Sequence, residues 1–395
     1  MNDRSAALQA LHARGAVRAL FASQIREVAN AALGDPDVLP FWFGEPDEVT
    51  PAYIRDAAVA SLAAGETFYS QNFGIPELRA AIASYVSRLR RPIAPGNVAV
   101  TASGMSALML CVEALVDPGD RVVCVTPLWP NLTEIPKILG AEVVRLPLEF
   151  GPHGWRLDLD RLIGALVPGT RAVMINSPNN PTGWTLDPRA RGAILAHCRR
   201  HGIWIVADDV YERLYYAGES ASAAPSFLDV AEPGDRLVST NSFSKAWLMT
   251  GWRLGWIVAP DELMPDLGKL IEYNTSCSPV FVQRAGVVAI TQGEATVGHT
   301  VERFRAARDF LLQALGRIAG VHAAAPAGAM YAFFRVDGVA DSLAFCKRLV
   351  REAKLGLAPG SAFGPEGQGF VRWCFAAQQD RLAEGVRRLQ AFLDR

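Results

Sequence analysis

The sequence predicts an α/β protein with a mostly parallel, seven-stranded sheet, followed by a smaller α+β domain. Seven short apolar runs lie between residues 98 and 258: Val98–Thr101, Val122–Val125, Val143–Leu146, Ala172–Ile175, Ile203–Ala207, Leu237–Thr240 and Leu254–Val258. Apolar runs without alternation are typical of strands that are buried on both faces in a parallel sheet. Helix-length segments separate several of these runs, as in a layered α/β domain. Beyond about residue 285, fewer strands and more helix indicate the smaller domain.

The N-terminal part of the chain predicts helices before the sheet begins. An approximate helical rhythm in residues 1–40 predicts an amphipathic helix followed by a loose arm; its apolar residues are Leu8, Leu11, Val17, Leu20 and Phe21. Two more helices are expected within residues 51–90, on either side of Tyr69–Arg79. Pro76 and Glu77 suit the first turn of the second one.

The segments between the apolar runs predict helices over residues 105–116, 131–139 and 188–201. The last is the best delimited, because Asp187 can cap its N-terminus, Pro188 fits its first turn and Gly202 can end it. In the C-terminal part we expect a long helical region over residues 283–315, another helix near 341–353 and a final helix from Asp380 to the end. The glycine-rich segment Gly364–Gly369 lacks the preceding strand of a dinucleotide-binding motif, so it predicts a loop.

Composition excludes several classes of function. The chain has 395 residues, of which 50% are hydrophobic and 20% charged, as in a globular enzyme with a large core. A formal net charge of −1 provides no broad basic face for nucleic acid. No run of about 20 apolar residues could span a membrane, and the first twenty residues lack the apolar core of a secretory signal. We expect a cytoplasmic protein.

Cysteine and histidine usage gives no metal site. The six cysteines are scattered without a C-x-x-C pair, which suits a reducing compartment better than a disulfide framework or a zinc site. His197 and His201 are four residues apart beside Cys198, but Arg199 and Arg200 flank them and no glutamate completes an H-E-x-x-H pattern. We therefore expect them on a solvated helix face.

One lysine has sequence neighbours that are typical of a catalytic lysine. Lys245 lies in the stretch Asn241–Gly255, among small hydroxyl residues and followed by aromatic and apolar ones, with Arg253 eight positions later. Burial lowers the pKa of a lysine and frees its amine as a nucleophile, which is the usual setting of Schiff-base lysines. The stretch resembles the lysine signature of the class I/II aminotransferases, which bind pyridoxal phosphate (PLP), and every constrained position from Ser242 to Gly255 is filled.

The resemblance extends over essentially the whole chain and implies a fold type I PLP enzyme. It implies an N-terminal arm (1–45) joining the small domain, a large PLP-binding domain (46–284) and a small C-terminal domain (285–395). Lys245 is expected to hold PLP as a Schiff base and then to act as general acid and base. The expected reaction moves an amino group from an L-amino acid to a 2-oxo acid, with 2-oxoglutarate favoured, by a ping-pong route.

Two alternatives use the same residues. A C–S β-lyase would release pyruvate and ammonia from a sulfur amino acid. A PLP-domain transcription regulator needs an added DNA-binding domain, and the roughly 40 residues before Gly44 leave no room for one. We therefore expect small-molecule amino acid and 2-oxo acid partners, and neither nucleic acid nor a membrane.

Several residues are expected to hold the cofactor phosphate. Ser103-Gly104-Met105 falls between a predicted strand and a predicted helix, where backbone N–H groups bind phosphate well. The resemblance adds Ser242 and Arg253. It also adds Tyr69, which in the family reaches across a dimer interface to the neighbour's phosphate, so a homodimer with shared active sites is expected.

Other residues are expected around the cofactor ring. Trp129, after the next strand, matches the family's ring-stacking aromatic. Asp208 ends a hydrophobic strand and is expected to pair with the pyridine nitrogen, whereas Asp209 is expected in the first turn of a following helix. Asn180, in a loop resembling the family's N-P-T-G string, and Tyr211 are expected to donate hydrogen bonds to the ring hydroxyl oxygen. The bonds before Pro127 and Pro181 are expected to be cis, as in the family.

The substrate is expected at the ends of two other segments. Arg372 is a single arginine in an apolar strand and matches the family's anchor for the substrate α-carboxylate. Gly44, in a G-E-P-D segment, is expected to let substrate approach the backbone.

The donor side chain is expected to be neutral. The family places a cation for a second carboxylate either at the position of Met105 or near Thr275, where this chain has Glu272 and Tyr273 instead. Trp42, Phe43 and Met105 are expected to line an apolar pocket. Neutral donors should therefore outperform aspartate.

Overall fold

A computed structural model describes residues 13–217 and 223–395, and its central element is a seven-stranded sheet. Along the sheet the strands follow the order Val98–Thr101, Gly255–Val258, Leu237–Ser242, Trp204–Asp208, Thr170–Asn176, Arg121–Thr126 and Glu142–Pro147. All neighbours are parallel except Gly255–Val258, which pairs antiparallel with both of its neighbours. The predicted mostly parallel sheet is confirmed, and each apolar run falls on its strand within a residue or two.

Burial on both faces explains why these strands lack alternation. In Arg121–Thr126, Val123 and Val125 pack into one hydrophobic cluster, whereas Val122 and Cys124 pack into a second. Successive strand side chains point to opposite faces, so two helical layers demand apolar residues at every position.

Helices cover both faces of the sheet. Those between residues 52 and 274 are Ala52–Ala63, Pro76–Leu89, Gly104–Leu115, Asn131–Ile138, Leu159–Ala165, Pro188–His201 and Met264–Asn274. Helix Pro188–His201 has the predicted ends, because the Asp187 carboxylate accepts hydrogen bonds from the N–H groups of Arg189 and Ala190, and Gly202 is left-handed with φ of 66°. A small hairpin, Glu149–Gly151 with Gly154–Arg156, lies outside the main sheet.

The C-terminal part forms a second, antiparallel sheet with helices. Its strands follow the order Val321–His322, Tyr331–Val336, Phe370–Cys374 and Ala358–Pro359, and its helices are Glu294–Leu315, Ser342–Ala353 and Gln379–Leu393. The predicted helical region over residues 283–315 is confirmed, but it consists of two helices. Helix Val280–Gln292 ends before Gly293, where a Cβ would overlap the carbonyl oxygen of Ala289.

The N-terminal arm packs on this C-terminal part. Strand Leu39–Pro40 pairs parallel with Leu355–Gly356. Leu8 and Leu11 lie outside the described residues. In the described part the expected single amphipathic helix was wrong: helices Gly15–Arg18 and Gln24–Asn30 are separate, and Phe21 between them is 84% exposed. In the described ranges, no helix has the length and apolar character needed to cross a membrane.

Candidate active site

Polar residues from several strands meet at one end of the central sheet. Asn176, Asp208 and Ser242 are the last residues of three neighbouring strands, and Gly104 begins the helix that follows a fourth. A cavity of about 350 Å³ lies between this end and the second sheet. Its lining consists of Arg26, Phe43, Gly44, Glu45, Gly104, Met105, Leu108, Trp129, Asn176, Asn180, Asp208, Val210, Tyr211, Ser242, Ser244, Lys245, Thr250, Arg253, Tyr331 and Arg372. Every predicted site residue except Ser103 and Tyr69 is among them.

Lys245 presents its amine inside this cavity. Its Nζ donates a hydrogen bond to the carbonyl oxygen of Gly44 at 2.7 Å. Burial lowers the pKa of the Lys245 ammonium to about 8, and the nearby guanidiniums of Arg372 and Arg253 act in the same direction. About a tenth of the Lys245 amine is therefore neutral at pH 7, far more than for an ordinary lysine, as a nucleophilic lysine requires.

Of the two adjacent aspartates, only Asp208 lines the cavity. Burial raises the pKa of Asp208 to about 7, partly offset by a hydrogen bond from the Val210 N–H. The helix expected after it was wrong, because residues 210–213 form a turn instead. Asp209 is instead buried and accepts hydrogen bonds from the Ser226 and Ser239 hydroxyls at 3.0 and 2.6 Å.

The expected phosphate cradle has three parts within reach of one another. The helix begins at Gly104, and a Cβ there would lie 3.0 Å from Ser242 Cβ, so the glycine keeps this corner open. The hydroxyl of Ser103 does not line the cavity, because it caps the helix by accepting from the Ser106 N–H at 3.0 Å. The Arg253 guanidinium is exposed at the cavity, where it donates to the carbonyl oxygen of Thr250.

Trp129 and the proline loops frame the other side of the cavity. The Trp129 ring is partly buried, with its centroid 6.4 Å from that of Phe363. The bonds before Pro127 and Pro181 are cis, as predicted, and so is the bond before Pro178.

Two tyrosine hydroxyls meet at the floor of the site. The hydroxyls of Tyr211 and Tyr331 are hydrogen-bonded at 2.7 Å. Burial raises the pKa of Tyr211 well above its usual value and that of Tyr331 to about 12, so both stay protonated donors. Sequence reasoning missed Tyr331. Its signal was a lone hydroxyl in the apolar run Ala329–Phe334, the same kind of signal that singled out Arg372.

Tyr331 also explains Gly44. A Cβ on Gly44 would overlap the Tyr331 hydroxyl oxygen. Only glycine leaves room for the tyrosine pair while its carbonyl accepts from Lys245. This steric role differs from the substrate approach expected from the sequence, which stays a prediction.

Arg372 is a buried cation with an incomplete set of partners. It is 1% exposed, and its Nη1 donates to Asn180 Oδ1 at 3.0 Å while Nη2 donates to the Trp42 carbonyl oxygen. Its Nε has no partner, and among the described residues no carboxylate forms an ion pair with it. Binding of an anion would strongly stabilise a buried guanidinium in this state.

Predictions for three further residues, His197, Trp42 and Tyr69, have mixed outcomes. His197 is not on a solvated face: it is buried and its Nε2 is hydrogen-bonded to the Leu166 carbonyl oxygen at 2.8 Å. The described residues contain no group of three or more potential metal ligands. The Trp42 ring packs on Gly356 instead of lining the cavity, unlike Phe43 and Met105. Tyr69 is 91% exposed and lies outside this chain's own cavity.

These residues fit pyridoxal phosphate. Gly104, Ser242 and Arg253 offer an open corner and a cation for its phosphate. No cation of the described residues forms an ion pair with the buried Asp208 carboxylate, so it can pair with a protonated pyridine nitrogen. Lys245 offers the amine. The cavity therefore contains a binding group for the phosphate, the pyridine nitrogen and the aldehyde carbon of the cofactor.

Comparisons with known proteins agree with this chemistry. A family model described as aminotransferase class I and II matches residues 36–389. The chain belongs to the class I and II aminotransferases. An aspartate aminotransferase from Thermotoga maritima is 37% identical over 360 residues, covering 91% of this chain and 92% of the relative.

Solved structures extend the likeness to the fold. An aspartate aminotransferase from Thermotoga maritima superimposes with a TM-score of 0.90 at 34% identity, covering 97% of this chain and 100% of the other. An alanine aminotransferase from Pyrococcus furiosus gives a TM-score of 0.89 at 26% identity, with coverage of 97% and 100%. This aminotransferase is therefore a fold type I, PLP-dependent enzyme that moves an amino group from an amino acid to a 2-oxo acid. The alternative C–S β-lyase is not favoured.

Proposed function

We propose that the enzyme transfers the amino group of an L-amino acid to 2-oxoglutarate by a ping-pong route, with Lys245 as the residue that moves the proton. The observation that carries the proposal is the shared cavity: a lysine whose pKa is lowered to about 8 lies with a buried carboxylate and an incompletely partnered guanidinium. PLP, when bound, supplies an electron-accepting ring conjugated to the reacting carbon.

The roles of this chain's residues follow from their chemistry. Arg372 binds the substrate α-carboxylate as a bidentate donor, which fixes Cα relative to Lys245. Lys245 Nζ removes the proton from Cα and returns one in the reverse half-reaction. Asp208, as a carboxylate, keeps the pyridine nitrogen protonated, and Asn180 and Tyr211 donate hydrogen bonds to the ring hydroxyl oxygen.

We further propose a homodimer in the cytoplasm. Phe68, Tyr69 and Tyr273 are each more than 80% exposed, at 84, 91 and 89%, which is unusual for large aromatic side chains unless a partner covers them. In this assembly Tyr69 serves the phosphate of the neighbouring subunit. The six free cysteines, five of them buried, suit a reducing compartment.

The test is to follow the absorbance of the cofactor ring in the purified enzyme while single amino acids are added. A transaminase converts about one equivalent of donor to its 2-oxo acid and then stops until 2-oxoglutarate is supplied. Continuous release of pyruvate and ammonia from cysteine derivatives without an acceptor would instead support a lyase.

A variant tests the lysine. Lys245→Ala should retain PLP through Arg253, Asp208 and Trp129 but lose turnover, because Lys245 is the only lysine among the described residues that line the cavity. Lys269→Ala, at an exposed lysine paired with Asp266, is the matched control and should behave as wild type. Normal turnover by Lys245→Ala would exclude the assigned role.

A further inference from the structure

Among the residues that the structure describes, three arginines line the active-site cavity, and the proposed function uses only two of them. Arg372 and Arg253 are assigned to the substrate α-carboxylate and the cofactor phosphate. The third is Arg26, from the N-terminal arm. No carboxylate of the described residues forms an ion pair with it. Glu45, the acidic residue that shares this part of the lining, accepts instead from the Thr250 hydroxyl at 2.6 Å.

The helix that carries Arg26 is held firmly on the C-terminal part of the chain. Ile25 and Val28 of helix Gln24–Asn30 are buried, at 2% and 0% exposure. Gln24 Oε1 accepts from the Ser361 hydroxyl at 2.6 Å, and Glu27 forms an ion pair with Lys347. The backbone of Arg26 is thus fixed to the same part of the structure as Arg372, and both arginines line the cavity.

The Arg26 side chain is exposed at the edge of the cavity, where it packs against an aromatic ring. Its guanidinium carbon lies 5.6 Å from the centroid of the Phe43 ring, and Met105 lines the same cavity. A guanidinium above an aromatic ring keeps its planar fork free for a carboxylate. The arrangement offers a cation at the edge of an apolar wall, which suits a short aliphatic chain that ends in a carboxylate.

The two places where the sequence suggested a cation do not supply one. Met105 is neutral, and Glu272 is exposed, outside this cavity, and accepts from Asn72 Nδ2 at 2.8 Å. The expectation that neutral donors outperform aspartate depended on the absence of any such cation. Arg26 removes that basis, because it supplies the charge from a third segment.

We propose that Arg26 binds the distal carboxylate of amino and 2-oxo dicarboxylates whose α-carboxylate is bound by Arg372. The proposal rests on the proposed aminotransferase function. Neutral donors use the same cavity against Phe43 and Met105 and need no contact with Arg26.

The test measures each half-reaction separately by its absorbance change. In Arg26→Gln, kcat/KM for glutamate, aspartate and 2-oxoglutarate should fall roughly ten- to a hundredfold, the effect of one lost charge-assisted contact. Alanine should change less than about twofold, because it has no distal carboxylate. Arg26→Lys should lie between, since it keeps the charge but not the bidentate fork.

Controls separate binding from folding. Arg348→Gln, at an exposed arginine paired with Glu352, should leave every substrate unchanged, and all variants should keep the wild-type Tm. An equal loss for alanine and glutamate would make Arg26 a structural residue and overturn the proposal, as would no loss for either.

A binding measurement keeps the two proposals distinguishable. Calorimetry should show that Arg26→Gln weakens succinate, a dicarboxylate that cannot react, by a similar factor while leaving butyrate unchanged. If wild-type enzyme transaminates nothing, the proposed function fails, and succinate binding still tests Arg26. If transamination is normal but succinate binds both proteins equally, only the assignment of Arg26 fails.

Discussion

Arg372 and Asn180 are joined by a hydrogen bond of 3.0 Å between Nη1 and Oδ1, although one lies in the second sheet and the other in the loop after a central strand. The Asn180 backbone N–H is itself fixed by Asn176 Oδ1 at 2.7 Å. The proposed substrate anchor is therefore oriented by the loop that carries a proposed cofactor ligand.

This bond predicts strong coupling between the two residues. Arg372→Gln should lower kcat/KM for every amino acid roughly 30- to 1000-fold, because a buried charge contact is lost. This corresponds to about 2–4 kcal/mol of transition-state stabilisation. Asn180→Ala should cost less. The double variant should lose less than the sum of the two, by about 0.5–3 kcal/mol, as expected for residues in contact. Arg335→Gln, exposed on the neighbouring strand, is the control, and full additivity would contradict the coupling.

The lowered pKa of Lys245 predicts a pH profile for cofactor recombination. Only the neutral amine reacts, and the Lys245 pKa is about 8 against an ordinary 10.5. The rate at which cofactor-free enzyme takes up PLP should rise about tenfold per pH unit below 8 and level off above it. Nα-acetyl-lysine, measured in parallel, should keep rising to about pH 10. A protein profile that also rises to pH 10 would contradict the lowered pKa.

The fit of Gly44 against Tyr331 predicts a rescue. Gly44→Ala places a Cβ on the Tyr331 hydroxyl, so it should destabilise the protein by about 1–3 kcal/mol and lower kcat. Tyr331→Phe removes the overlapping oxygen, and the double variant should regain part of the lost Tm. Gly96→Ala, where a Cβ meets nothing within 4 Å, should be silent. No rescue in the double variant would show that another contact causes the defect.

Shared active sites predict complementation between two inactive variants. If Tyr69 serves the neighbouring subunit, a mixed dimer of Lys245→Ala and Tyr69→Ala chains has both defects in one site and none in the other. Co-expression and purification of the mixed dimer by two tags should then restore activity above that of either parent. Absence of recovery in a verified mixed dimer would place Tyr69 in its own subunit's site or in none.

The sheet and most of the candidate site could be predicted from sequence because their signals are local. Strands buried on both faces read as unbroken apolar runs, and a charged residue in such a run, such as Asp208 or Arg372, stands out. The end of helix Val280–Gln292 before Gly293 could not be predicted, because helical periodicity continues on both sides of this glycine. The reason for the glycine is that a Cβ would overlap the carbonyl oxygen of Ala289.

What failed depended on contacts distant in sequence. The burial of His197 depends on its bond to Leu166, and Asp209 is held by serines from two other segments. Arg26 belongs to an arm with weak periodicity, and nothing near it in sequence indicates that it lines the cavity with Lys245. Such residues are found only when the fold is known.

The pairing of Leu39–Pro40 with Leu355–Gly356 has a consequence for the order of events during synthesis. The strand Leu39–Pro40 is synthesised early in translation, but it can pair only after Leu355–Gly356 has been synthesised. Closing the loop of chain between the two strands is entropically costly and slow. The helix that carries Arg26 cannot dock earlier either, because it is anchored by contacts with Lys347 and Ser361. The central sheet can assemble on the ribosome first. The side of the cavity that carries Arg26 and Arg372 is completed only when nearly the whole chain has emerged.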